Sequence, residues 1–250
     1  MIQSLDRALK LLDHISQSEE GYICADLARV ISVDRSTAYR LLETLASYNY
    51  VHQNPVTKKY TLGNKIQDLS LRLTSNVKLQ NEARTFLKLL TRETGETSHL
   101  AVLRDGEAVI IDQELSSAMI GIHTSIGMHE PLHSTALGKA ICAWLSEQER
   151  MDVIKRKGLK RCTKNTITNK ADFAKEISQI KQQGYALDIE EYKEGIKCLA
   201  SPLFNHKGVI AAIGISAPSE RLPQEKVLPY SNIIKEASLS LSKRLGYAIR

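Results

Sequence analysis

Hydrophobic and polar residues alternate with helical spacing in two short segments between Asp26 and Leu45. In the second segment, Ala38, Leu41, Leu42 and Leu45 recur at i, i+3, i+4 and i+7, which places them on one buried stripe of a helix. A tight break around Ser32 separates this segment from the first. The pattern therefore predicts a helix-turn-helix.

The flanking sequence predicts the helices that complete this small domain. Ser4 is expected to cap a first helix, and Asp34 is expected to cap the third by accepting a hydrogen bond from the amide of Ser36 or Thr37. The second helix is expected near residues 24–31. The buried stripe of the first helix is expected to comprise Leu5, Ala8, Leu9, Leu12 and Ile15.

A hairpin and a linker are expected to follow. Two strand-like runs at residues 50–53 and 59–62 flank a turn-rich interval, which predicts a β-hairpin wing. Apolar residues then recur with helical spacing at Ile66, Leu69 and Leu73, which predicts a linker helix over residues 64–76. We therefore divide the chain into a winged helix-turn-helix (4–63), the linker helix (64–76) and a larger domain (77–250).

The larger domain mixes strands with helices. Strands that are linked by hairpins and interleaved with helices are typical of an α+β fold. The expected elements are a helix at 78–92 that stops at Gly95, a hairpin of strands 99–103 and 108–112, a strand from Met119 to Thr124, helices that begin at Ser134 and at a Ser146–Glu149 capping box, a helix at 169–183 stopped by Gly184, strands 199–205 and 209–217, and a helix at 224–245.

Composition narrows the function classes. Hydrophobic residues make up 42% of the chain and charged residues 25%, which is an ordinary globular balance. No apolar run approaches the roughly 18 residues of a membrane span, so a cytoplasmic protein without a membrane partner is expected. The four cysteines lack metal-ligand spacing, and neither a metal nor another cofactor is expected.

Charge is distributed unevenly. The net charge is +6, yet residues 1–76 carry nine Lys/Arg against eight Asp/Glu, so any DNA-binding cations there must be sorted onto one face. The densest basic cluster lies in the larger domain and is expected to be a solvated surface rather than a second nucleic-acid site. It comprises Lys155, Arg156, Lys157, Lys160, Arg161 and Lys164.

The outward face of the third helix carries donors suited to phosphates and base edges. A helix of this diameter fits the major groove of double-stranded DNA, and lysines of a wing can follow the phosphate backbone. The expected DNA contacts are Arg35, Ser36, Thr37, Tyr39, Arg40 and Thr44 on the helix, with Lys58 and Lys59 on the wing.

Three motifs resemble those of the IclR-type transcriptional regulators. They are the pattern Ser36, Thr37, Tyr39, Arg40, Leu41, Leu42, Thr44 and Leu45, the run from Pro131 to Ala140, and the spaced set Gly184, Asp188, Glu191, Cys198, Leu199, Ala200, Leu203, Phe204 and Asn205. The resemblance covers nearly the whole chain. One departure is Ser32, where the family commonly has a turn glycine, and a serine at positive φ costs about 1 kcal/mol.

The resemblance implies a winged helix-turn-helix, a linker helix and a GAF-like effector domain. It also implies a homo-oligomer, either a dimer or a dimer of dimers, that binds pseudo-palindromic operators and responds to a small-molecule effector. The effector pocket that the resemblance implies is formed by Met119, Ala136, Leu137, Asp188, Cys198, Gly214 and Ser216.

A physical argument supports this pocket. Residues 134–138 are small and begin a predicted helix, where free amides and the helix dipole favour an anionic group such as a carboxylate. Asp188 and Ser216 are then expected to orient hydroxyl or amine groups of the ligand, while Met119 and Leu137 form apolar walls. A small organic or sugar acid is the expected effector of what we interpret as a repressor.

Two other functions remain open from the sequence. The chain could be a cysteine hydrolase with Cys198 as nucleophile, His133 as base and Asp188 as its orienter, although nothing in the sequence brings these three together. Alternatively, the winged helix could dock another protein, which would make the chain an adaptor that does not bind DNA.

Overall fold

The computed structural model describes residues 2–72, 74–119 and 121–247. The chain divides into two compact units, Met1–Val77 and Lys78–Arg250. None of the helices in the described residues is long and apolar enough to cross a membrane. Each unit buries its own apolar residues, and the two are therefore described separately.

The N-terminal unit is a three-helix core with a small sheet. Helices α1 (Gln3–Ile15), α2 (Cys24–Val30) and α3 (Arg35–Ser47) precede a hairpin, and helix α4 (Asn64–Arg72) follows it. The strands are β1 (Tyr22–Ile23), β2 (Val51–Gln53) and β3 (Lys59–Leu62), in the antiparallel order β1-β3-β2. The predicted wing is confirmed, whereas β1 was not expected from the sequence. Leu73 of the predicted linker stripe lies outside the described residues.

The helix-turn-helix forms as its residue pattern predicts. Ala38 and Leu42 are fully buried, with Leu41 and Leu45 half-buried beside them. Asp34 accepts a hydrogen bond from the Thr37 amide at 2.9 Å, which confirms the predicted cap.

The turn before α3 has a backbone conformation that favours glycine, although serine occupies the position. Ser32 has a φ of 53°, in the left-handed region that disfavours residues with a β-carbon. A serine at this position is therefore strained.

The predicted stripe of α1 is partly wrong. Leu5 and Leu9 are 56% and 53% exposed, whereas Leu11 and Ile15 are fully buried. The helix has leucines on adjacent faces, so spacing alone did not determine which face packs against α2 and α3. Ser4 does not cap the helix, because the N-cap position is Ile2 and it makes no side-chain hydrogen bond.

The C-terminal unit is built on a six-stranded antiparallel sheet in the order β6-β5-β4-β9-β8-β7. The order of the strands confirms that the two longest strands, predicted at 199–205 and 209–217, are neighbours. The elements are α5 (Thr74–Thr94), β4 (Thr97–Arg104), β5 (Glu107–Glu114), β6 (His129–Pro131), α6 (Ala136–Trp144), α7 (Glu147–Lys157), α8 (Lys170–Gln183), β7 (Ala186–Ile189), β8 (Ile196–Asn205), β9 (Gly208–Pro218) and α9 (Gln224–Arg244).

Helices cover both faces of this sheet, as expected for a GAF-like α+β domain. Helices α5 and α9 pack on one face, and α6, α7 and α8 pack on the other. Successive strand residues serve opposite cores: Leu100 faces α5 and α9, whereas Ala101 faces α6. Alanines on the α6 side let that helix approach the strands closely.

Local signals for helix ends are mostly confirmed. Ser146 and Glu149 form a complete capping box, and Gly184 ends α8 in a left-handed conformation. Helix α6 begins at Ala136 with Thr135 as its cap, two residues later than predicted.

The predicted strand from Met119 to Thr124 is wrong. The described residues between Glu114 and His129 form no strand, and Ile120 lies outside the description. Pairing with β5 falls instead on β6. The unpredicted strand β7 pairs with β8 at the opposite edge.

Candidate functional site

The outward face of α3 exposes the donors that the sequence predicts for DNA. Arg35, Arg40 and Thr44 are exposed, and the Tyr39 side chain is 50% exposed on the same helix. Within the described residues, neither guanidinium lies within 4 Å of a carboxylate. Both arginines are therefore available for phosphates or base edges.

Two predicted DNA contacts are already engaged by the helix cap. The hydroxyl groups of Ser36 and Thr37 both donate to the Asp34 carboxylate, the second at 2.7 Å. These hydrogen bonds hold the pKa of Asp34 well below its ordinary value. Ser36 and Thr37 are therefore positioned by the cap, and the Thr37 amide is already engaged by the Asp34 carboxylate.

The wing lysines differ from each other. Lys58 is exposed in the turn with a φ of 58°, whereas the Lys59 ammonium lies 3.2 Å from Glu20. Such an exposed pair is weak and screened by salt, so it does not prevent Lys59 from contacting a phosphate. Lys58 is the more accessible of the two.

A cavity in the C-terminal unit contains most of the predicted effector residues. It encloses about 100 Å³ beside the first turn of α6, and we call it the α6 cavity. Five predicted residues line it: Ala136, Leu137, Asp188, Cys198 and Ser216. The topology explains this, because Cys198 pairs with Asp188 on β7 and with Ser216 on β9.

Two predicted residues lie outside this cavity. Met119 is fully exposed, because the loop after β5 does not form the strand that would have turned its side chain inwards. Gly214 is absent from the lining and is explained by packing: a β-carbon there would lie 2.2 Å from the Leu199 carbonyl oxygen. Its role is to let β8 and β9 lie close together.

Sequence reasoning missed ten further lining residues. Four come from the loop before β6 and two from the segment between β7 and β8, and the other four lie on β6, β8, β9 and at the cap of α6. These parts of the chain meet only in the folded domain. The only sequence signal was the position of Glu130, an acidic residue directly before the Pro131–Ala140 run. The ten are Ile122, His123, Thr124, Met128, Glu130, Thr135, Tyr192, Lys193, Ile196 and Ile215.

Two buried carboxyl groups face the α6 cavity. Burial raises the pKa of both Asp188 and Glu130 to about 7, although Asp188 accepts a stabilising hydrogen bond from the Glu191 amide at 2.7 Å. Burial also raises the pKa of the Cys198 thiol, which donates to Ser216 Oγ at 3.2 Å. The cavity thus offers hydrogen-bonding groups whose charge depends on pH near neutrality.

The start of α6, in contrast to the carboxyl groups, carries partial positive charge from its backbone amides. Thr135 caps the helix by accepting from the Gly138 amide at 3.1 Å. Among the described residues, the amides of Ala136 and Leu137 have no acceptor. Free amides at a helix N-terminus favour an anion.

A buried lysine fixes the wall of the α6 cavity. Lys139 is fully buried, and its ammonium donates to Glu191 at 2.6 Å and to Glu176 and the Leu187 carbonyl at 2.7 Å each. Because the Glu191 amide in turn donates to Asp188, Lys139 links α6 and α8 to the cavity wall.

Two family models match the chain. One, described as the IclR helix-turn-helix domain, matches residues 4–55, and the other, described as the bacterial transcriptional regulator IclR C-terminal domain, matches residues 71–243. The chain belongs to the IclR family of transcriptional regulators. The resemblance stated from the sequence motifs is therefore confirmed.

Individual relatives of this IclR-family regulator match over almost its whole length. XynR of Escherichia coli K12 is 32% identical over 248 residues, which cover 99% of this chain and 98% of XynR. The crystal structure of the Thermotoga maritima IclR has a TM-score of 0.84 and 31% identity, covering 99% of this chain and 100% of that one. An IclR homologue from Microbacterium hydrocarbonoxydans, crystallised with 4-hydroxybenzoate, has a TM-score of 0.85 and 20% identity, covering 97% and 98%.

The hydrolase alternative is wrong for an IclR-family regulator, because the family consists of transcriptional regulators and not enzymes. The geometry agrees. His133 donates through Nε2 to the Lys160 carbonyl at 2.8 Å and does not line the α6 cavity that contains Cys198 and Asp188. With its pKa raised by burial, Cys198 is also a poor nucleophile.

Proposed function

We propose that this regulator is a repressor whose operator binding is controlled by a small organic or sugar acid in the α6 cavity. The observation that carries the proposal is the pairing, in one cavity, of free helix-start amides with buried carboxyl groups. A hydroxylated carboxylate satisfies both. Its carboxylate accepts from the amides of Ala136 and Leu137, and its hydroxyls contact Asp188, Glu130 or Ser216.

The size of the cavity supports a compact ligand. Cavities of about 150 Å³ admit benzene in other proteins, so a space of about 100 Å³ in this conformation favours a small hydroxy acid over a larger sugar acid. The homologue that was crystallised with 4-hydroxybenzoate carries both a carboxylate and a hydroxyl on its ligand. We infer the same two-ended chemistry for the effector here.

The DNA-binding half of the proposal assigns the operator contacts to α3 and the wing. Arg35, Tyr39 and Arg40 reach base edges or phosphates, Ser36, Thr37 and Thr44 flank them, and Lys58 and Lys59 follow the backbone. The N-terminal unit is nearly neutral overall. Binding therefore relies on these sorted residues and on repetition by symmetry.

We propose a homo-oligomer, either a dimer or a dimer of dimers, on a pseudo-palindromic operator in the cytoplasm. The exposed leucines of α1 and α4 support this, because Leu5, Leu9 and Leu69 are 56%, 53% and 41% exposed. A second copy would cover such apolar residues. The corresponding division is a DNA-binding domain (4–63), a linker helix (64–76) and an effector-binding domain (77–250).

Two linked measurements test this function. Genomic fragments selected by the full-length protein should contain a repeated half-site, and titration calorimetry with organic acids, sugar acids and amino acids should identify a ligand that changes the mobility shift of those fragments. An Asp188→Asn variant should bind DNA but respond less to the ligand. Absence of binding across the panel would argue against the α6 cavity.

The adaptor alternative makes an opposite prediction. If the winged helix docks a protein instead of DNA, the wild type should not shift promoter DNA specifically, and Arg35→Ala and Arg40→Ala should leave any residual shift unchanged. Loss of the shift in both variants, with the fold retained, supports DNA binding through α3.

A further inference from the structure

A second cavity lies in the C-terminal unit beneath α7, and we call it the α7 cavity. It encloses about 90 Å³ and shares no lining residue with the α6 cavity. Its inner wall is apolar because side chains of three helices and two connecting loops converge there. These are Leu132, Cys142, Val153, Ile154, Leu159 and Phe173.

The mouth of the α7 cavity is polar and carries a net positive charge. Glu107 is paired there with Lys157 at 3.3 Å and with His129 at 3.1 Å. Lys160 is the second lysine of the lining, and among the described residues no carboxylate lies within 4 Å of its ammonium. Two lysines therefore face one carboxylate that is already shared with a histidine.

The rim that presents Lys160 is fixed in place. His133 donates from Nε2 to the Lys160 carbonyl at 2.8 Å, and burial lowers the pKa of His133, which favours the neutral ring. The backbone at Lys160 is thus held while its side chain remains exposed.

We propose that the α7 cavity binds a small organic anion with a branched apolar body, such as a short-chain carboxylate. The apolar body occupies the space under Val153 and Ile154, and the carboxylate lies between Lys157 and Lys160. The apolar wall favours burial of the hydrocarbon body, and the lysines favour a negatively charged ligand. The regulator thus has a second ligand site, independent of the effector in the α6 cavity.

Site-resolved NMR of the full-length protein tests this proposal. Isovalerate is the probe, and its uncharged isostere isovaleramide is the matched control. In protein with labelled methyl groups, isovalerate should shift Ile154 and Val153 at about 10 mM or below. Ile122 and Ile196, which line the α6 cavity, report separately on binding there.

Two variants locate the site. Lys160→Gln should weaken isovalerate binding about two- to fivefold, as expected for loss of one exposed charge, whereas Lys155→Gln on the outer surface of α7 should change it less. Val153→Phe fills the cavity and should abolish the shift at Ile154. Since Val153→Phe could disturb folding, the surface variants provide an independent test.

Several results would overturn the proposal. If Ile154 does not move with isovalerate, the cavity is only a packing void. If isovaleramide binds equally well, the lysines do not select an anion. If only Ile122 and Ile196 respond, the ligand binds in the α6 cavity, and the proposed effector chemistry survives while the second site does not.

Discussion

Replacing Lys139 with methionine should strongly destabilise the C-terminal unit. The Lys139 ammonium is fully buried and donates to Glu191, Glu176 and the Leu187 carbonyl at 2.6–2.7 Å. The Glu191 side chain is only 9% exposed and would lose its partner, whereas Glu176 is 22% exposed and can regain water. Breaking one side of a buried ion pair in this way costs about 3–5 kcal/mol.

The single tryptophan, Trp144, allows the loss of unfolding free energy to be measured in the C-terminal unit. Trp144 ends α6 and contacts Phe204 edge to face, so its fluorescence during urea unfolding reports on the C-terminal unit. In thermal unfolding, the expected loss of about 3–5 kcal/mol corresponds to a fall in Tm of about 6–20 °C. Lys175→Met is the matched control, since this lysine is 81% exposed and pairs with Asp172 at 3.4 Å. The control should cost at most about 1 kcal/mol.

A double variant separates charge from packing. Lys139→Met combined with Glu191→Gln removes the unpaired buried carboxylate and should recover at least half of the lost stability. If Lys139→Met costs no more than Lys175→Met, or if the double variant is less stable than the single one, the ion pair does not hold this wall and the reasoning fails.

Three further predictions concern the two sites and the turn. Arg40→Ala should cost about 1–3 kcal/mol in operator affinity by mobility shift if Arg40 reads a guanine, whereas an equal loss on all sequences would make it a phosphate contact. Because burial raises the pKa of Asp188 and Glu130 to about 7, both carry more negative charge at higher pH; an anionic effector should therefore bind more tightly at about pH 6 than at about pH 8 by calorimetry. A double Asp188→Asn, Glu130→Gln variant should flatten that dependence, and an unchanged slope would show that these two carboxyl groups do not cause it. Ser32→Gly should stabilise the N-terminal unit by up to about 1 kcal/mol in chemical unfolding, since the residue has a φ of 53°, and a loss of stability would contradict the strain assigned to it.

Sequence signals that act over a few residues predicted local structure well. Asp34, the Ser146–Glu149 box and Gly184 each fix a helix end through hydrogen bonds or backbone conformation within a few positions. These helix ends depend little on the rest of the fold. The positive φ of Ser32 was indicated by the family resemblance, which places a turn glycine there, and not by a local signal.

Features that depend on distant contacts were predicted less well. The leucines of α1 fit two adjacent faces, and only packing against α2 and α3 selects the one with Leu11 and Ile15. Met119 fails as a wall residue because strand formation after β5 depends on pairing, and that pairing falls on β6. Glu130 reaches the α6 cavity only through this same arrangement, which no local pattern encodes.

Gly214 constrains how this regulator can diverge. An alanine there would place its β-carbon 2.2 Å from the Leu199 carbonyl oxygen and 2.7 Å from the Ala200 side chain, which would force β8 and β9 apart. Cys198 and Ser216, which flank this contact, would move with the strands. The strands that form the floor of the α6 cavity therefore do not tolerate a side chain at Gly214. If the α6 cavity is the effector site, as proposed, new ligand preferences in descendants of this protein would arise mainly in the loop before β6 and in the segment between β7 and β8, where substitutions leave the sheet intact.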